Sequence, residues 1–113
     1  LQQLTTRCTF LQADLDEWRP APDSTDLITT FYFLERALWP SIQAAVRPGG
    51  LYIAENFNRH RSIKMPEATP TFLLQPGELL ATVTGWGWEV VYSHVRGPDD
   101  SRPTDAVVAR KPT

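Results

Sequence analysis

With 113 residues, 42% of them hydrophobic and 21% charged, the chain is sized and composed for one globular domain rather than a disordered segment. Eleven Lys and Arg against thirteen Asp and Glu leave a net charge of −2 and a pI of about 5.6, which argues against a polybasic nucleic-acid binder. No apolar run approaches bilayer length, the lone Cys8 cannot close an internal disulfide, and one Cys with two scattered His makes a zinc site a poor reading.

The chain alternates between two hydrophobic periods. Cys8–Ala13 reads as a short strand that stops at the acidic run Asp14-Leu15-Asp16-Glu17, and Pro20, Pro22 and Asp23 then make a turn. Leu27–Phe31 is the clearest strand: β-branched, aromatic and continuously apolar, as a strand buried on both faces would be. Leu34, Leu38, Ile42, Ala45 and Val46 recur at helical spacing, with Pro40 either opening or kinking that helix. Arg47-Pro48-Gly49-Gly50 reads as the helix stop, Arg47 supplying the cation near its carboxyl end. Leu51–Glu55 is a third strand, so 27–55 forms a strand–helix–strand crossover with parallel strands.

Asn56–Pro70 reads as a long polar loop, a type often functional, although Arg59, Arg61 and Lys64 taken alone suit a solvated face. Pro76 and Glu78 suit the first turn of a second helix, with Gly85 as its stop. Trp88–Val95 alternates as a strand with Trp88, Val90, Tyr92 and His94 on one face; the turn cluster 97–101 and the strand Asp105–Arg110 complete an antiparallel hairpin.

In an open α/β sheet, ligands bind beyond the carboxyl ends of parallel strands. That rule selects Asp14-Leu15, Thr30 through Phe33, and Glu55-Asn56-Phe57. Asp and Asn also follow strands simply because they make turns, and Tyr32 and Phe33 suit a core equally well, so type alone leaves both readings open.

The segments "QADLDEW", "DLITTFYFLERALWPSIQAAVRPGGLYIAENF", "FLLQPGELL", "WEVVYSHV" and "DAVVARKP", in that order, resemble class I S-adenosylmethionine-dependent methyltransferases, most of all the small-molecule, tellurite-resistance-type branch. The resemblance covers the chain from about Thr9 to its end. It implies a partial Rossmann-like α/β sheet, parallel strands followed by an antiparallel hairpin. It implies S-adenosylmethionine as cofactor and a small molecule as methyl acceptor, with neither nucleic acid nor membrane as partner. It makes Asp14 and Leu15 the adenine contacts, Thr30 and Phe31 the strand end facing the methionine part, and Tyr32 and Phe33 the wall beside the donated methyl. Glu55, Asn56 and Phe57 border the acceptor, and Arg36 belongs to the same region. Glu55 or His60 would serve where the acceptor needs a base.

The family's glycine-rich turn after its first strand, and the acidic residue ending its second, have no counterpart here. Gly49-Gly50 and Gly85-Trp86-Gly87 follow helices instead. The expectation is therefore that residues 1–113 form the C-terminal portion of one methyltransferase domain lacking its first two strands, cytoplasmic and inactive as this chain alone. Leu27–Phe31 would then present an unpaired apolar edge, open to a gap, to pairing with Cys8–Ala13, or to self-association. A non-catalytic α/β interaction module and half of a dinucleotide-binding oxidoreductase are the competing readings.

Overall fold

The computed structural model describes residues 11–61 and 72–113. They build a four-stranded mixed sheet with two short helices. Strand β1 is Thr25–Phe31, helix α1 is Trp39–Ala45 after a single 3-10 turn at Arg36–Leu38, and β2 is Val46–Phe57. Helix α2 (Glu78–Gly85), β3 (Glu89–Val95) and β4 (Thr104–Arg110) follow. The spatial order is β1-β2-β4-β3, with β1 and β2 parallel and β4 antiparallel to both its neighbours. The last strand thus inserts between the crossover pair and its own hairpin partner.

Pro40 opens α1, sitting in its first turn where a missing N–H costs nothing. Leu38 and Ile42 join Val46, Tyr52 and Ala54 of β2 in one core. Tyr52, 1% exposed, places its hydroxyl 2.8 Å from Thr30 Oγ1, so the apolar ring is buried without stranding its polar tip.

The expected helix stop at 47–50 is different in structure. The helix ends at Ala45, and Arg47–Gly50 are already part of β2, bulged outward opposite the single residue Asp26. Arg47 is not the cation at the helix end; it pairs with Asp26 at 3.3 Å. Lys111 takes that role from the far end of the chain, its Nζ donating to Gln43 and Val46 carbonyls at 2.8 Å each. Gly50 is required for close approach: a Cβ there would stand 2.7 Å from the Asp26 carbonyl oxygen and from Val46 Cγ1.

Helix α2 also departs from expectation at both ends. Pro76 precedes the helix, and Gly77 is the N-cap at φ 88°. Asp105 of β4 accepts the Gly77 N–H at 2.7 Å, a cap delivered from another element. Gly85 is the last helical residue, while Gly87, at φ 79°, makes the reversal. Gly87 N donates to Thr84 O and Trp88 N to Val83 O, and buried Trp88 and Val83 join the same core.

Strand β3 does not keep one face. Val90 pairs with Ala109 and Tyr92 with Val108, so Val91 is an extra residue. Val90 therefore shares the helix-covered face with Ala109, whereas Tyr92 and His94 lie on the opposite face with Val108 and Ala106.

Of the first expected strand, Leu11–Ala13 is not strand, and Cys8–Phe10 lies outside the described residues. Within the described residues β1 is a sheet edge with Leu27 and Phe31 half-exposed, not the strand buried on both faces that its apolar run predicts. No helix among the described residues is long and apolar enough to cross a membrane, and none of their His, Cys, Asp and Glu side chains cluster in threes for a metal.

Candidate functional site

The parallel pair ends at Phe31 and Phe57 on one edge of the sheet, and the hairpin brings the β3–β4 loop to that same edge. Two clusters form there.

The first lies along the outer edge of β1. A cavity of about 880 Å³ is walled by Leu15, Trp18, Thr30, Phe31, Phe33 and Ile42, among others. Its volume suits a small organic ligand. The Asp14–Trp18 turn that brings in Leu15 is closed by Asp14, whose carbonyl accepts from Glu17 and Trp18 and whose Oδ1 accepts the Asp16 N–H at 2.9 Å. Arg19 donates to the Leu15 and Trp18 carbonyls, closing that turn on itself. Four of the six residues selected as cofactor contacts, Leu15, Thr30, Phe31 and Phe33, therefore share one cavity wall. Asp14 stands in the adjoining turn. Tyr32 turns away from the cavity.

The second cluster is on the open face of β2. Tyr32 has a left-handed backbone, φ 55°, unusual for a bulky residue. Its N–H donates to the Glu55 carbonyl at 2.8 Å, and its ring lies 5.2 Å from that of Phe57. Glu55 and Phe57 alternate onto this face together. Glu55 Oε2 accepts the Thr104 hydroxyl at 2.7 Å and stands 3.6 Å from His94 Nε2. His94 Nε2 is 3.1 Å from Thr104 Oγ1, and its Nδ1 is 2.8 Å from the Tyr92 hydroxyl. A continuous polar chain thus runs from Tyr92 through His94 to Glu55.

Asn56, one residue out of phase, points to the helix-covered face. It is buried, and its Nδ2 donates to the Phe72 carbonyl at 3.0 Å. Arg36 is likewise committed on that side: Nε and one terminal nitrogen grip the Glu78 carboxylate at 2.6 and 2.8 Å, and the Leu73 carbonyl accepts at 3.0 Å. This grip holds the Glu78 carboxyl below its ordinary range and raises Arg36. The His60 N–H donates to Asn58 Oδ1, and Asn58 in turn donates to Asp105 of β4.

Sequence reading did not place His94, Thr104 and Tyr92 beside Glu55, nor Arg102 beside Tyr32. The hairpin was legible, but its insertion with β4 against β2 was not. That insertion sets Thr104 opposite Phe57.

Solved structures share this fold. The structure of an S-adenosylmethionine-dependent methyltransferase from Mesorhizobium loti matches with a TM-score of 0.66 and 16% identity, over 91% of this chain and 69% of that one. The fold is that of the S-adenosylmethionine-dependent methyltransferases. A second such methyltransferase, from Methanosarcina mazei, matches with a TM-score of 0.63 and 12% identity over 88% of this chain and 65% of its own. One from Thermotoga maritima gives 0.59 and 14% over 97% and 68%. The chain thus spans about two thirds of the length of these methyltransferases. No family model matches the sequence, and no curated protein matches it.

Proposed function

We propose that this chain supplies the acceptor side and part of the cofactor cleft of an S-adenosylmethionine-dependent methyltransferase acting on a small molecule. The observation that carries the reading is the end of the β1 cavity where Leu15, Thr30, Phe31 and Phe33 meet, at the carboxyl end of a methyltransferase-type sheet, with the Glu55–His94 chain at the same end.

The residues present fit one part of the cofactor. Trp18 and Phe33 offer flat faces for a purine, and Leu15 adds an apolar wall. Asp14 is the adjoining carboxylate for the adenine amino group. The glycine turn and ribose-holding acid of the family have no counterpart in this sequence, so the fit is to the adenine and methyl-bearing ends. When bound, S-adenosylmethionine supplies an activated methyl group on its sulfonium, and the protein's task is alignment and exclusion of water. Thr30 and Phe31 border that end, and Phe33 closes the wall. Tyr32, turned toward Phe57, shapes the acceptor side instead.

Glu55 is the base that takes the acceptor's proton. Its Oε2 is ordered by the Thr104 hydroxyl, and His94 stands 3.6 Å away to share the charge change. His60, in the loop after β2, is the second candidate for that proton. Phe57 and Tyr32 form the acceptor wall. Asn56 and Arg36 act behind the site, fixing the chain around Phe72, Leu73 and Glu78. A dinucleotide oxidoreductase half is the poorer reading, because its sheet is all parallel where this one takes an antiparallel insert.

The reading includes the proposal that the two missing strands carry the rest of the cofactor cleft, and that the chain alone turns over no substrate. Calorimetric titration of S-adenosylhomocysteine into a form extended upstream by a strand, a glycine-rich turn and a second strand tests it. Saturable one-site binding is expected; no heat at millimolar ligand would refute it.

A further inference from the structure

Two arginines converge on the Tyr32–Phe57 ring pair from separate loops. Arg61, from the loop after β2, sets its guanidinium carbon 3.7 Å from the Phe57 ring centre. Arg102, from the β3–β4 loop, lies 5.1 Å from the Tyr32 centre and 5.5 Å from that of Phe57. A guanidinium stacked on a ring uses its face, and its N–H donors remain in its plane, open to a planar or tetrahedral oxyanion.

The like charges make this placement informative. Two cations within 5.5 Å of one ring centre repel each other. Among the described residues, no carboxylate forms an ion pair with either guanidinium. Arg96 belongs to the β3–β4 loop with Arg102, in a chain whose net charge is −2. The nearby acids are partly engaged: Asp100 Oδ1 accepts the Arg102 backbone N–H, and Glu55 is bonded to Thr104, leaving Asp99 exposed at the turn. The edge that would receive the acceptor therefore holds two aromatic-backed guanidinium groups with no ion-paired carboxylate among the described residues.

We propose that Arg61 and Arg102 bind an oxyanionic group, a carboxylate or a phosphoryl, on the acceptor molecule. The word acceptor rests on the methyl-transfer reading; the anion site rests only on the geometry of this edge. It places Arg61, which sequence alone assigned to a solvated face, in the binding surface.

The test is an NMR titration of the 113-residue chain at fixed ionic strength with benzoate, phenyl phosphate and neutral benzyl alcohol, reading the arginine Nε–H signals. Saturable shifts at Arg61 and Arg102 are expected with one or both anions, with affinity at least about fivefold above benzyl alcohol. The tighter of the two anions identifies the group. Arg61→Gln and Arg102→Gln should each weaken binding about fivefold, roughly one solvent-exposed ion pair. Arg47→Gln, at the opposite end of β2, should leave it unchanged. Equal affinity for anions and benzyl alcohol, shifts that never saturate, or an equal loss in the Arg47 variant would each overturn the proposal. No cofactor is present in these titrations, so their failure leaves methyl transfer standing. A failed S-adenosylhomocysteine titration leaves the anion site standing.

Discussion

Removing the Arg36–Glu78 clamp should loosen the joint between the two helices more than a surface ion pair normally would. The bridge links the 3-10 turn ahead of α1 to the first turn of α2, and Arg36 also holds the Leu73 carbonyl. Exposed pairs contribute about 0.2–1 kcal/mol, whereas hydrogen bonds to charged groups reach about 1.5–3 kcal/mol when shielded. Here the side chains are 38% and 20% exposed, so screening removes part of the larger figure. The expected coupling is about 1–1.5 kcal/mol, with about 2 kcal/mol lost in Arg36→Met, which also abandons Leu73. A double-mutant cycle with Arg36→Met and Glu78→Gln, followed by urea unfolding, measures it. The Glu78 carboxyl is held below its ordinary value of 4.5, so it binds protons less readily folded than unfolded. Its contribution is complete above that value and disappears as pH falls through the lowered folded value. Strict additivity at pH 7, or a coupling that persists undiminished at pH 2, would refute the reasoning.

Gly50→Ala should cost about 1–3 kcal/mol, because its Cβ would meet the Asp26 carbonyl and Val46 at 2.7 Å; Gly77→Ala, with open space but φ 88°, should cost about 1 kcal/mol, and urea midpoints compare them. Burial raises the Tyr52 hydroxyl, favouring its neutral form in the folded chain, so that stabilising difference holds below pH 10.0 and is lost as pH rises through the folded value. Tyr52→Phe should remove that alkaline step, read by far-UV circular dichroism against pH. Asp105→Ala should lower stability by about 2–3 kcal/mol, since it strips the cap from Gly77 and one of the two acceptors of buried Asn58 Nδ2; thermal unfolding checks this. In a form extended upstream and competent for turnover, Glu55→Gln should cut methyl transfer at least about tenfold while S-adenosylhomocysteine binding holds, as expected for a proton acceptor. Unchanged turnover would remove Glu55 from the chemistry.

What could be read from sequence follows from where the signal is local. The β-branched run at 27–31 and the hairpin at 88–110 each declare themselves within a few residues, and both are present, whereas Pro40 could equally have kinked the helix that it opens. Signals that depend on distant partners were invisible or misassigned. Arg47 sits where a helix-end cation belongs, yet Lys111 donates there, because β4 runs back beside β2. The alternation of Trp88, Val90, Tyr92 and His94 looks regular, but one extra residue at Val91 moves Tyr92 and His94 to the other face and onto Glu55. The same holds at the site. Leu15, Thr30, Phe31 and Phe33 could be selected from strand ends, and they share a wall. Tyr32 could not be separated from them, since only its left-handed backbone turns it toward Phe57. Arg102 lies in a turn cluster with no feature of its own until the hairpin is folded against β2.

The most direct test of the central reading is an amide NMR titration of this chain with S-adenosylhomocysteine. Even half a cleft should answer at millimolar ligand, and the shifts should concentrate at Leu15, Trp18 and Thr30 through Phe33. Perturbations confined to the opposite edge, around Gly87 and Arg110, or none at all, would contradict the account.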